Sequence, residues 1–118
     1  MEPIGRLYKK DEIVVRSLHI DQDLYEKLQY LCDKVYDASI SKLTNICVET
    51  FLQDTSKIKY YKKPYKTESI YRSILFRKEF YDKLIEIREE TGISFSRLVN
   101  GSIKQFIDKY QGRKFFIK

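Results

Sequence analysis

Leu24-Tyr25-Glu26-Lys27-Leu28 returns fifty-six residues later as Phe80-Tyr81-Asp82-Lys83-Leu84, and Arg16-Ser17-Leu18 returns at the same spacing as Arg72-Ser73-Ile74. Further on, Ser39-Ile40-Ser41-Lys42-Leu43-Thr44-Asn45 matches Ser94-Phe95-Ser96-Arg97-Leu98-Val99-Asn100 at a spacing of fifty-five. One residue is lost, and only between the two matching blocks. A repeat that keeps both flanks in register and tolerates an indel between them is one structural unit with a turn inside it. The chain therefore contains the unit twice, from about Ile13 to Leu52 and from about Ile70 to Ile107.

Each copy opens on a period of two. Val14, Arg16, Leu18 and Ile20 alternate with Val15, Ser17 and His19, and Ile70 to Phe76 behaves alike, so both segments read as short strands. The period then changes: Ile20, Leu24, Leu28, Leu31 and Val35 recur at helical spacing, as do Phe76, Phe80, Leu84 and Ile87, which marks an amphipathic helix. Asp21 is the expected N-cap of the first of these helices, and Arg77 takes the place in the second copy. A second helix is expected from Ser39 and from Ser94. Its stripe runs Ile40, Leu43, Cys47 or Ile46, Val48, Phe51 and Leu52 in one copy, and Phe95, Leu98, Val99, Ile103, Phe106 and Ile107 in the other. Gly92 supplies a left-handed residue between the helices of copy two; copy one has no glycine there and uses one more residue.

A strand-helix-turn-helix unit of about forty residues is too small to bury its own core, and a single strand has no ladder to join. Both problems vanish if the two units pair, the strands forming an antiparallel ribbon over four helices. In this the chain resembles the ribbon-helix-helix family of Arc-like and methionine-repressor-like proteins, whose members build such a unit as a homodimer. Here the resemblance covers about Glu12 to Leu52 and Ser69 to Tyr110, and both halves lie in one chain, as in tandem ribbon-helix-helix accessory proteins of plasmid conjugation. The expected fold is mainly α with a short two-stranded antiparallel β ribbon, the two repeats forming one pseudo-symmetric globular domain. Its parts are an arm over 1–11, repeat 1 over 12–54, a linker over 55–68, repeat 2 over 69–110 and a tail over 111–118.

The resemblance implies that the ribbon enters the major groove of double-stranded DNA, where each base pair shows a distinct pattern of donors and acceptors. With Ile20 on the core side, Val15, Ser17 and His19 face outward, as do Tyr71, Ser73 and Leu75. Arg16 and Arg72 are also candidate base readers. Strict alternation turns them inward, so three placements stand open: a bulge swinging them out, stems packed at the ribbon edge with heads on phosphate or carboxylate, or a plain salt bridge to a helix acid. The helix starts are the implied phosphate contacts, through Ser39, Ile40, Ser41 and Lys42 in one half and Ser94, Phe95, Ser96 and Arg97 in the other. Simple N-capping by Ser39 and Ser94 is compatible with that role.

The net charge of +6 is unevenly placed. Repeat 1 carries −4 and repeat 2 carries +2, whereas the linker carries +4 and the tail +3. Lys57, Lys59, Lys62, Lys63 and Lys66, interleaved with tyrosines, suit secondary phosphate contacts, against the plainer alternative of a solvated linker. The linker is long enough for the two strands to pair within one chain, although a swap between chains has the same contacts. In the tail, Phe115, Phe116 and Ile117 call for a covering surface.

Other chemistries lack their residues. One histidine and two cysteines fifteen apart, Cys32 and Cys47, make neither a metal cluster nor a thiol redox motif, and with four glycines there is no phosphate loop. The reading is thus a non-enzyme without cofactor, small-molecule ligand or membrane span, cytoplasmic or nucleoid-associated, with self-association on DNA left open. Its role is that of a transcriptional repressor or a plasmid or phage DNA-processing accessory factor. An antitoxin or a protein-interaction module on the same fold is the alternative; the acidic first repeat and the apolar Val15 and Leu75 favour the interaction module, while the short basic tail argues against an antitoxin.

Overall fold

A computed structural model describes residues 12–56 and 68–110. The chain runs strand, helix, helix, strand, helix, helix: β1 (Ile13–Asp21), α1 (Gln22–Leu31) continued by a π-helical turn (Cys32–Tyr36), α2 (Ile40–Leu52), β2 (Ser69–Arg77), α3 (Lys78–Thr91) and α4 (Phe95–Tyr110). It is mainly helical, with one two-stranded antiparallel sheet.

The strands pair without interruption from Ile13 opposite Arg77 to Asp21 opposite Ser69, and Ser17 faces Ser73 at the centre. Alternation decides the faces. Leu18, Ile20, Ile74 and Phe76 are buried beneath the ribbon, while Val15, Ser17, His19, Tyr71, Ser73 and Leu75 are exposed above it. The covered side meets one core shared by all four helices, in which Leu28, Leu43, Val48, Leu84, Val99 and Ile103 are all essentially inaccessible. Hydrophobic burial at roughly 25 cal/mol per Å² makes this shared core the main stabilising element.

Three expectations about the helices are corrected: the apolar stripe through Val35, the extra residue of copy one in the turn before Ser39, and the Asp21 side-chain cap. Val35 does not continue the apolar stripe; it is 41% exposed, and Cys32 is buried instead. The cause is the π-helical turn, whose wider winding absorbs an inserted residue. Gln22 to Tyr36 spends fifteen residues where Lys78 to Thr91 spends fourteen, so the residue by which the repeats differ lies in this turn and rotates Val35 off the core. The left-handed position held by Gly92 (φ 78°) is held in the first half by Asp37 (φ 52°), an aspartate being among the few side chains that tolerate it. Finally, Asp21 stands at the N-cap position but its side chain makes no cap hydrogen bond. Between Cys47 and Ile46, Cys47 is the buried one.

One core position is imperfect. The Thr44 hydroxyl is fully buried with no hydrogen-bond partner among the described residues, and the matching position of the second helix pair is the equally buried Val99. An unpaired buried hydroxyl costs about 1–3 kcal/mol. Thr44→Val should therefore raise the unfolding free energy by about 1 kcal/mol in a denaturant titration. Leu28→Ala or Leu84→Ala should lower it by about 2–5 kcal/mol through the cavity each leaves.

Candidate nucleic-acid interface

The centre of the exposed ribbon face is built of three cross-strand pairs. Val15 stands opposite Leu75, Ser17 opposite Ser73 and His19 opposite Tyr71. The two serine hydroxyls are hydrogen-bonded to each other at 2.7 Å. His19 and Tyr71 are in ring contact, their centroids 4.7 Å apart, and His19 Nδ1 lies 3.2 Å from Ser69 Oγ. These contacts order the side chains on the surface, so a ligand would meet a largely preset pattern.

Arg16 and Arg72 do not join that face. The nine consecutive strand pairs leave no bulge, and both arginines stay on the helix side, each over the ring of a tyrosine from the other half of the chain. Arg16 donates from Nη1 to Tyr81 Oη at 3.0 Å and lies 4.4 Å from the Phe95 ring centroid. Arg72 lies 5.2 Å from the Tyr25 ring centroid and donates from Nε to Tyr25 Oη at 3.3 Å and from Nη1 to the Tyr71 carbonyl at 3.1 Å. The placement differs from a groove-facing one for a simple reason: a guanidinium over an aromatic face keeps a favourable electrostatic partner without leaving the inward side. The two sites are unequal. Phe95 stands where the first half has Ile40, so Arg16 has a second ring and is half-buried while Arg72 is exposed.

The starts of α2 and α4 lie against the outer edges of the two strands. Leu75 N donates to Ser41 Oγ at 3.0 Å, Asn45 Nδ2 donates to the Leu75 carbonyl at 2.8 Å, and Arg77 N donates to Asn45 Oδ1 at 2.9 Å. On the opposite edge Ser96 Oγ donates to the His19 carbonyl at 2.7 Å, Asn100 Nδ2 to the same carbonyl at 3.0 Å, and Asp21 N to Asn100 Oδ1 at 2.8 Å. Each helix start thus flanks the ribbon, one on either side. Ser39 and Ser94 cap their helices by accepting from Lys42 N and Arg97 N, while Ile40 and Phe95 turn into the core. Ser41 and Ser96 are therefore committed through their hydroxyls to the strand edges; what they and their neighbours can offer an anion is the set of first-turn amides that have no acceptor within a helix. Lys42 is exposed and Arg97 half-buried. Lys57, Lys59, Lys62, Lys63 and Lys66, like the arm and the tail, lie outside the described residues.

Asn45 and Asn100 are the residues that sequence reasoning missed. Their signal was present: asparagine is a poor residue for a helix interior, yet it closes the matching block of both copies.

The two cysteine thiols are buried and free. Burial, with Asp33 adding to it, raises the Cys32 pKa; burial, with Cys32 adding to it, raises that of Cys47. Both thus stay protonated, which disfavours thiolate chemistry. Among the described residues there is no cluster of metal-ligating side chains, and no helix is long and apolar enough to cross a membrane. Comparison with protein-family models, curated proteins and solved structures gives no match.

Removing the buried Asn100 side chain takes the acceptor from the buried Asp21 N–H and one of two side-chain donors from the His19 carbonyl, which keeps Ser96 Oγ. Asn100→Ala should destabilise the protein by about 1–3 kcal/mol, and Asn45→Ala, whose strand edge is more exposed, by less. Paired denaturant titrations of the two variants check both the size and the order.

Proposed function

We propose that the chain is a single-chain ribbon-helix-helix protein, two repeats related by a pseudo-twofold axis through the Ser17–Ser73 pair, and that it binds double-stranded DNA with the ribbon in the major groove. The observation that carries this reading is the combination of an exposed, ordered ribbon face with a helix start pinned to each of its edges. A ribbon flanked in this way offers side chains to base edges at its centre and amide-rich helix ends to the phosphates on either side.

Six side chains are assigned to base reading: Val15, Ser17, His19, Tyr71, Ser73 and Leu75. Arg16 and Arg72, held on tyrosines beneath, orient the ribbon. The helix starts at Ser39 and Ser94, with Lys42 and Arg97, position the backbone, and the basic linker adds sequence-independent attraction. The biological role most consistent with such a module is repression of transcription or assistance in plasmid or phage DNA processing, without catalysis.

Binding of the full chain to duplex DNA at two salt concentrations tests the reading. Affinity should fall as salt rises, by a log–log slope of about 0.9 for each phosphate neutralised. Ser73→Ala should weaken binding to the preferred duplex while leaving stability within about 0.5 kcal/mol of the parent, as expected for an exposed position. Loss of stability without loss of binding would make Ser73 structural. Absence of binding at either salt would replace the DNA reading by a protein partner for the exposed Val15, Tyr71 and Leu75.

A further inference from the structure

The exposed face of the ribbon is not the same at its two ends. In a ribbon made from two identical strands about a central twofold, only the central position meets its own copy, and the two ends present the same pair of residues. Here the two ends carry different pairs, Val15 with Leu75 at one and His19 with Tyr71 at the other, and only the central Ser17 and Ser73 are alike. Val15 is 63% exposed, Leu75 48% and Tyr71 60%. Beyond Val15 and Leu75 this end closes on the exposed Ile13 and its partner Arg77, whose guanidinium is turned to Glu79 at 3.7 Å and to the Phe80 ring.

The chemistry of the ends differs accordingly. Val15 and Leu75 have no side-chain donor or acceptor; in a major groove they can recognise only an apolar group, and the one that bases display there is the thymine 5-methyl. At the other end, Tyr71 carries a hydroxyl and His19 a ring whose Nδ1 already faces Ser69 Oγ, leaving Nε2 to meet a base edge. The central serine pair shares one proton internally, so it presents one further O–H donor together with acceptor lone pairs.

We infer that this ribbon is a directional reader: it recognises a non-palindromic duplex site with thymine methyls at the Val15–Leu75 end and hydrogen-bonding base edges at the His19–Tyr71 end. The inference rests on the DNA reading above and deepens it by naming the class of site. It also gives the fusion of two repeats into one chain a consequence that a homodimer cannot have, because the two strands are free to carry different residues at equivalent places.

The test is selection of duplexes from a random pool by the full chain, followed by replacement of thymine by uracil in each half of the selected site. The expected result is a non-palindromic motif, rich in A·T pairs in one half. Removing methyls in that half should weaken binding about fourfold per buried methyl, and the same replacement in the other half should change little. Combining Tyr71→Val with Leu75→His puts one valine and one histidine at each end, and that variant should select a palindrome. A palindromic motif for the unaltered protein, or equal uracil sensitivity in both halves, would overturn the directional reading while leaving DNA binding intact. Failure to enrich any duplex would overturn both.

Discussion

A two-stranded ribbon has two open edges, and no third strand to close either of them. Every backbone group that points away from the partner strand must find a helix side chain or water. Ser41 and Asn45 serve one edge and Ser96 and Asn100 the other. The constraint is stronger than satisfaction of polar groups alone, because in each case a helix of one half clasps the strand of the other. The strand pairing, the helix positions and the shared core are thereby tied together, and neither half has a complete structure without its counterpart.

The same contacts set the geometry of the outward surface. A helix start held at 3 Å from a strand edge cannot drift relative to the side chains of that strand, so the ribbon face and its flanks form one preorganised unit. The arginines reinforce it from below, each reaching across to a ring of the other half. Small sequence differences then make the halves unequal: Phe95 in place of Ile40 encloses Arg16 more fully than Arg72, Thr44 in place of Val99 leaves a hydroxyl with no partner among the described residues, and the π-helical turn absorbs an extra residue.

Periodicity made much of this legible in the sequence. The alternation of Val14 to Ile20 and of Ile70 to Phe76 located both strands and their inward faces, and the spacing of Leu24 and Leu28, or Phe80 and Leu84, located the first helices, because burial acts on every second or every third to fourth residue. The rest depended on contacts between residues distant in sequence. Nothing near Arg16 announces that Tyr81 and Phe95 will receive it, so its strand position was ambiguous. Val35 fits an ideal helical stripe and leaves it only because the helix widens one turn earlier. Asn45 and Asn100 were visible as a repeated residue, but their role is defined by strand edges that only the folded arrangement brings near.

The proposed binding face for duplex DNA is the ordered surface above the ribbon. The most direct test is titration of isotope-labelled protein with duplex DNA, following backbone amide resonances residue by residue. Val15, Ser17, His19, Tyr71, Ser73 and Leu75 should shift together with the first turns of α2 and α4, while the far ends of those helices stay unmoved. Shifts confined to the basic linker, with the ribbon unperturbed, would contradict that proposal.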